Sequence, residues 1–154
     1  MKSCLWHVLA AAGAGLKVHS VIRGEMRGYV TIRDLTSGKA ITGILQKGDR
    51  GRTFHLAISR LSPSEIAAIR SALDERIAGS RIETSSWIPG SDWRDTPYQP
   101  IFERAARGNM ELAALMFGLF AWEAFERHPD DWYTERFSMG GEEDRFRVYF
   151  KPGQ

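Results

Sequence analysis

Apolar and polar residues alternate with a period of two along the first third of the chain, which is the spacing of a β-strand with one buried face. Residues 27–33 and 52–58 alternate in this way, and residues 17–23 and 39–45 are two further predicted strands. Turn sequences such as Thr36-Ser37-Gly38 lie between them. The pattern therefore predicts a four-stranded antiparallel meander.

Residues 62–65 have the sequence of a helix N-terminus. Ser62 suits the N-cap, Pro63 suits the first helical position, and Glu65 can close a capping box with Ser62. Apolar residues then follow at helical spacing, at Ile66, Ile69, Leu73 and Ile77. We predict a helix that Gly79 ends in a left-handed conformation, which glycine adopts without strain.

The second half of the chain combines short strands with two further helices. The predicted elements are a strand over 81–87, helices over 100–107 and 110–127, and hairpin strands over 132–139 and 145–150. Gly108 ends the first of these helices, Asn109 caps the next, and Pro129 prevents its extension. We predict an α+β fold: an antiparallel sheet, made of the N-terminal meander and the C-terminal hairpin, with three helices packed on one face.

The helix predicted over residues 110–127 is apolar on nearly all sides, which is typical of a helix buried in a core or against another subunit. Its large apolar residues are Leu112, Leu115, Met116, Phe117, Leu119, Phe120, Trp122 and Phe125. The core of one chain and the interface of an obligate dimer both fit this pattern. We expect the partner of the protein to be a second copy, bound through this helix as a homodimer.

Composition indicates a single domain over residues 1–154, with 43% hydrophobic and 26% charged residues. The longest nearly uncharged apolar stretch, Leu112–Trp122, is too short to span a bilayer, and we expect no membrane association. Cys4 is the only cysteine, which excludes an internal disulfide and favours a cytoplasmic location. Residues 1–15 fit a first strand or a frayed arm, or alternatively the signal segment of an exported protein.

The charge is distributed unevenly along the chain. Residues 1–76 carry twelve Lys and Arg against six Asp and Glu, whereas residues 77–154 carry nine against thirteen. On the predicted strands, five residues form a candidate face for nucleic acid or another anionic partner: Arg27, Tyr29, Arg33, Lys39 and His55. Cations beside an aromatic ring suit a phosphate backbone with stacked bases. The alternative is the ordinary solvated face of an antiparallel sheet.

The segment 87–99, WIPGSDWRDTPYQ, concentrates aromatic and charged residues in one loop. Its candidate ligand-binding residues are Trp87, Asp92, Trp93, Arg94, Asp95 and Tyr98. Flat apolar walls with a few polar groups are typical of a small-molecule pocket. The alternative is that the Trp rings pack in the core while the Asp residues cap the following helix.

The common catalytic motifs are absent from the sequence. It contains no dinucleotide-binding glycine pattern, no His-Glu-x-x-His and no nucleophile-elbow serine. The four histidines have no metal-ligand spacing and suit surface or locally bonded positions. We therefore assign no catalytic residue, metal site or cofactor. An acid–base site assembled from distant residues stays an open alternative.

Two runs in the C-terminal half, DWRDTPYQPIFERAARGN and GLFAWEAFERHPDDW, resemble small bacterial proteins encoded on mobile gene cassettes of the integron type. That resemblance implies an accessory role and transfers no functional residue. We expect a small binding or regulatory protein that acts through its surfaces. The alternatives are a pocket protein or small enzyme using the loop 87–99, and a binder of anionic partners.

Overall fold

Short strands and longer helices alternate along the chain. The computed structural model describes residues 32–80, 82–84, 92–136 and 147–151. The strands are β1 (Ile32–Asp34), β2 (Ile82–Thr84), β3 (Trp132–Arg136) and β4 (Arg147–Phe150). The helices are α1 (Gly48–Arg60), α2 (Pro63–Ala78) and α3 (Met110–Arg127), with one π-helical turn at Ile101–Ala105. The predicted α+β class is confirmed.

The four strands form one mixed sheet in the order β1-β3-β4-β2. β3 and β4 pair antiparallel, as predicted for the C-terminal hairpin, and β2 joins the other edge of β4 in the antiparallel sense. β1 pairs parallel with β3, with Ile32 opposite Trp132. The prediction of an antiparallel sheet was wrong for this pair of strands. The chain between β1 and β3 contains α1, α2 and α3, and this long connection lets β3 run in the same direction as β1.

The predicted N-terminal meander is wrong for its last two strands. Residues 52–58 lie within α1, where Phe54 and Ala57 are buried at helical spacing and Leu56 is 39% exposed. Gly51 allows α1 to approach the preceding loop, since a Cβ there would lie 3.0 Å from the backbone of Gln46. In the segment 39–45 only Ala40 forms an isolated bridge, to Arg33. The predicted strand 17–23 and residues 27–31 lie outside the described residues.

The structure confirms α2 and its capping box. The backbone N–H of Ser62 donates to Glu65 Oε2 at 2.8 Å, and the N–H of Glu65 donates to Ser62 Oγ at 3.3 Å. The hydrogen bond from Ser62 lowers the pKa of the Glu65 carboxyl. The buried stripe consists of Ile69, Leu73 and Ile77. Gly79 has a φ of −103°, so the predicted left-handed conformation at this residue was wrong.

The helix predicted over 100–107 is shorter in the structure, where it is the π-helical turn. The N–H of Ala106 donates to Ile101 O at 2.8 Å. Gly108 ends this turn in the left-handed region, with a φ of 78°. Asn109 then caps α3 as predicted, accepting a hydrogen bond from the N–H of Leu112 at 3.0 Å. None of the helices described in residues 32–80 and 92–136 is long and apolar enough to span a membrane.

The core lies between α3 and one face of the sheet. The buried residues of α3 are Ala113, Met116, Phe117, Leu119, Phe120, Ala121, Trp122, Ala124 and Phe125. Phe125 stacks on Tyr149 at 4.0 Å and meets Trp132 edge-on at 4.7 Å. On its other side α3 packs on α1 and α2, with Phe54 and Phe120 in edge contact at 5.4 Å.

Candidate functional site

The second face of the sheet carries aromatic side chains that the core does not use. Strand register brings five residues of β1, β3 and β4 onto this side, and we call these five the open face: Arg33, Tyr133, Glu135, Val148 and Phe150. The rings of Tyr133 and Phe150 stack at 6.0 Å with an interplanar angle of 26°. Glu135 is exposed and the other four are half-buried. The aromatic contacts of α3 with the sheet fall on the opposite side, at Trp132 and Tyr149.

Two residues of opposite charge lie next to Tyr133 on the open face. Arg33 is the register neighbour of Tyr133, and Glu135 is the register neighbour of Val148. The Arg33 guanidinium donates a long hydrogen bond of 3.4 Å to Gly38 O, and Glu135 accepts one of 3.5 Å from the Thr36 hydroxyl. Within the described residues, no ion pair satisfies either charge.

The sequence pattern did not reveal the open face, because each side of β4 carries an aromatic residue, Tyr149 on one and Phe150 on the other. Val148 and Phe150 alternate with Arg147 and Tyr149, a pattern that by polarity alone would place Val148 and Phe150 inside. Instead Tyr149 is the buried residue, 2% exposed, and burial raises the pKa of its hydroxyl. The rings of Trp122 and Phe125 on α3 contact Tyr149 and stabilise it in the core, which turns Val148 and Phe150 outward.

A second cluster of polar residues lies where α3 meets the ends of β3 and β4. The N–H of Asp130 donates to His128 Nδ1 at 3.2 Å, so the neutral ring carries its proton on Nε2. Lys151 Nζ lies 2.8 Å from Asp130 Oδ2 and 5.1 Å from the centre of the Trp132 ring. Burial, followed by the nearby Lys151, lowers the pKa of His128. The hydrogen bond from Lys151 lowers the pKa of Asp130. These contacts make His128 a locally bonded histidine, one of the two kinds of position expected from the sequence.

The loop residues predicted to bind a ligand divide between core and surface. Trp93 is 6% exposed and meets Phe117 edge-on at 5.7 Å, and Tyr98 meets the same ring at 5.1 Å. Burial raises the pKa of the Tyr98 hydroxyl. These contacts are the ones expected if the rings pack in the core, and ligand binding by the loop stays a prediction.

The charged members of that loop lie at the surface. The Arg94 side chain bonds to the Asp92 carboxylate, with Nη2 2.8 Å from Oδ2, and this contact lowers the pKa of Asp92 to about 2. Asp95 is also exposed, has a φ of 56°, and donates its N–H to Gln99 Oε1 at 2.9 Å. Trp87, the first residue of the predicted site, lies outside the described residues.

The predicted anionic-partner face is only partly brought together. Arg33 and Lys39 lie on the two sides of the turn that follows β1, where the N–H of Asp34 donates to Lys39 O at 2.9 Å. His55 lies on α1 instead of a neighbouring strand, so its predicted place on this face was wrong. Arg27 and Tyr29 lie outside the described residues.

Metal ligands are not clustered in the part of the chain that the structure describes, where no group of three or more His, Cys, Asp or Glu could hold an ion. The open face has the most distinctive chemistry among the described residues: a half-buried aromatic stack with two opposite charges next to Tyr133. Comparisons of the chain with protein-family models, curated proteins and solved structures gave no match.

Proposed function

We propose that this chain is a small binding protein that acts as a homodimer, with the open face as its contact surface. The observation that carries the proposal is the half-buried stack of Tyr133 and Phe150, with Arg33 and Glu135 next to Tyr133 on the same face. Aromatic side chains are enriched at the centres of protein interfaces, where they bury large areas at low entropic cost. The cytoplasmic location expected from the single cysteine belongs to the same proposal.

Charge complementarity favours a second copy of the chain as the occupant of the open face. In a two-fold dimer, the contact between residue i of one copy and residue j of the other occurs twice. A two-fold axis lying between two such faces can bring Arg33 of each copy opposite Glu135 of the other. Both ion pairs then form at once, and the Tyr133 and Phe150 rings of the two copies meet between them.

The open face fits the dimer contact better than α3 does. Phe120 is fully buried in its own chain, and eight further residues of α3 are buried with it. Two large apolar side chains of α3 are exposed, Met110 at 49% and Leu115 at 46%. Most of the apolar surface that suggested a dimer helix is thus used in the core of the monomer.

Sedimentation velocity from about 1 µM to about 1 mM, the range of weak complexes, tests self-association. We expect the wild type to pass from monomer to dimer with increasing concentration. Tyr133→Lys should remain monomeric, because the dimer would bury its ammonium without a partner. Leu115→Lys serves as the matched control on α3 and should dimerise like the wild type.

Three outcomes would overturn the proposal: a wild type that stays monomeric throughout, a Tyr133→Lys variant that still dimerises, or a Leu115→Lys variant that does not. The last outcome would instead support a dimer through α3. Circular dichroism establishes that both variants are folded before they are compared.

A further inference from the structure

Two polar atoms on β3 are buried without a hydrogen-bond partner among the described residues, the indole Nε1 of Trp132 and the hydroxyl Oγ1 of Thr134. Both residues are 0% exposed. They are two apart on one strand, so their side chains project from the same face of the sheet, towards α3. An unpaired polar atom in a core has lost its hydrogen bonds to solvent and needs another partner.

The two polar side chains that contact the Trp132 ring, Lys151 and His128, already have other partners. Lys151 Nζ pairs with Asp130 and lies over the face of the indole ring, away from the ring's N–H edge. His128 Nδ1 accepts the N–H of Asp130 and therefore cannot also accept from Trp132. The Phe125 ring on the other side, 4.7 Å away, has no lone pair to offer.

We propose that a single internal water molecule binds between Trp132 and Thr134. The indole N–H donates to the water oxygen, and the water donates one hydrogen to Thr134 Oγ1. The two side chains lie side by side on one face of β3. Two hydrogen bonds that meet at the near-tetrahedral angle of one water molecule join polar atoms about 4.5 Å apart. The aromatic walls formed by Phe125 and Tyr149 favour one small molecule over a larger ligand.

Nuclear magnetic resonance on the ¹⁵N-labelled protein tests this site directly. The indole proton of Trp132, assigned by its loss in Trp132→Phe, should show a cross-peak at the water frequency despite complete burial. Thr134→Val should abolish that cross-peak, because the water loses its second partner. The wild-type spectrum decides the question even if a variant fails to fold. Absence of the cross-peak from an assigned, exchange-protected indole proton would overturn the proposal.

Thermal unfolding gives an independent test. The change in Tm caused by Thr134→Val should differ in sign between a water-bridged pair and a dry pair. If water bridges the pair, Thr134→Val should lower the Tm by about 3 °C, the shift that loss of one hydrogen bond gives at this chain length. If the two atoms are dry, the same change removes an unpaired hydroxyl, so an unchanged or higher Tm would contradict the proposal. Thr42→Val, at an exposed position, is the matched control and should leave the Tm unchanged.

Discussion

The guanidinium of Arg70 lies against the carboxylate of Glu123, with Nε 2.9 Å from Oε2 and Nη2 2.5 Å from Oε1. This two-point contact joins α2 to α3. Arg127 extends it, with Nη1 3.4 Å from Glu123 Oε2 and Nη2 2.8 Å from Asp74 Oδ1. Because the Glu123 side chain is only 15% exposed, its contact with Arg70 is less screened than the surface ion pairs of the chain.

Glu123→Gln keeps the shape of this side chain and removes its charge. We expect a loss of about 1 kcal/mol in the free energy of unfolding, since Arg70 is 37% exposed and water screens part of the interaction. Urea denaturation measures the loss. Asp49→Asn, in the fully exposed pair with Arg52, is the control and should cost less than about 0.5 kcal/mol. Equal effects of the two changes would contradict this assignment.

Ser62→Ala removes one half of the capping box at the start of α2. The hydroxyl accepts the N–H of Glu65, and its loss leaves that donor without its helix-cap partner. We expect the free energy of unfolding to fall by about 1 kcal/mol, again measured in urea. Ser71→Ala, on the exposed side of the same helix, should change it by less than about 0.5 kcal/mol. A Ser62→Ala variant as stable as the control would show that the cap contributes little.

α2 and α3 could be predicted from the sequence because their signals are local. A cap is read from residues within four positions, as at Ser62 and Asn109, and tertiary contacts do not change it. α1 was missed because Gly48 and Gly51 are typical of a loop, and because Phe54, Leu56 and Ile58 alternate like a strand. The requirement for Gly51 comes from its contact with the backbone of Leu45 and Gln46, which only the folded chain provides.

The open face could not be predicted either, because it too depends on contacts between distant parts of the chain. Each side of β4 carries one aromatic residue, and the choice between Tyr149 and Phe150 for the core depends on the rings that α3 presents. The parallel pairing of β1 with β3 likewise joins residues about a hundred positions apart. Of the residues predicted to bind a ligand, Trp93 and Tyr98 pack against Phe117 in the core, and ligand binding by them stays a prediction.

Trp93→Ala tests the role of this ring in the core. Trp93 is 6% exposed and contacts Phe102 and Phe117, so its removal leaves a cavity. We expect a loss of about 3–5 kcal/mol in the free energy of unfolding. The neighbouring Arg94→Ala, at the surface, should change the free energy of unfolding far less, because water screens its contact with Asp92. A loss near 1 kcal/mol for Trp93→Ala would indicate a ring that serves binding more than packing.

His128 should make stability depend on pH below neutrality. Burial and Lys151 lower the pKa of the folded imidazole below its unfolded value of about 6.5. Between these two pKa values the unfolded chain therefore binds more protons than the folded chain. The stability contribution is therefore complete above pH about 6.5 and is lost as pH falls through the folded pKa. Tm values from pH 5 to 8 measure it against His128→Asn, whose side-chain oxygen can accept the same N–H. A constant Tm difference across that range would be inconsistent with this pKa.

Reversing the two charges of the open face tests the proposed dimer most directly, with sedimentation velocity as the measurement. Arg33→Glu and Glu135→Arg should each remain monomeric, because each puts like charges opposite each other across the two-fold axis. A one-to-one mixture of these two variants should form a dimer, since every facing pair is then of opposite sign. A mixture that stays monomeric when the wild type dimerises, or single variants that dimerise as well as the wild type, would contradict a homodimer formed through the open face.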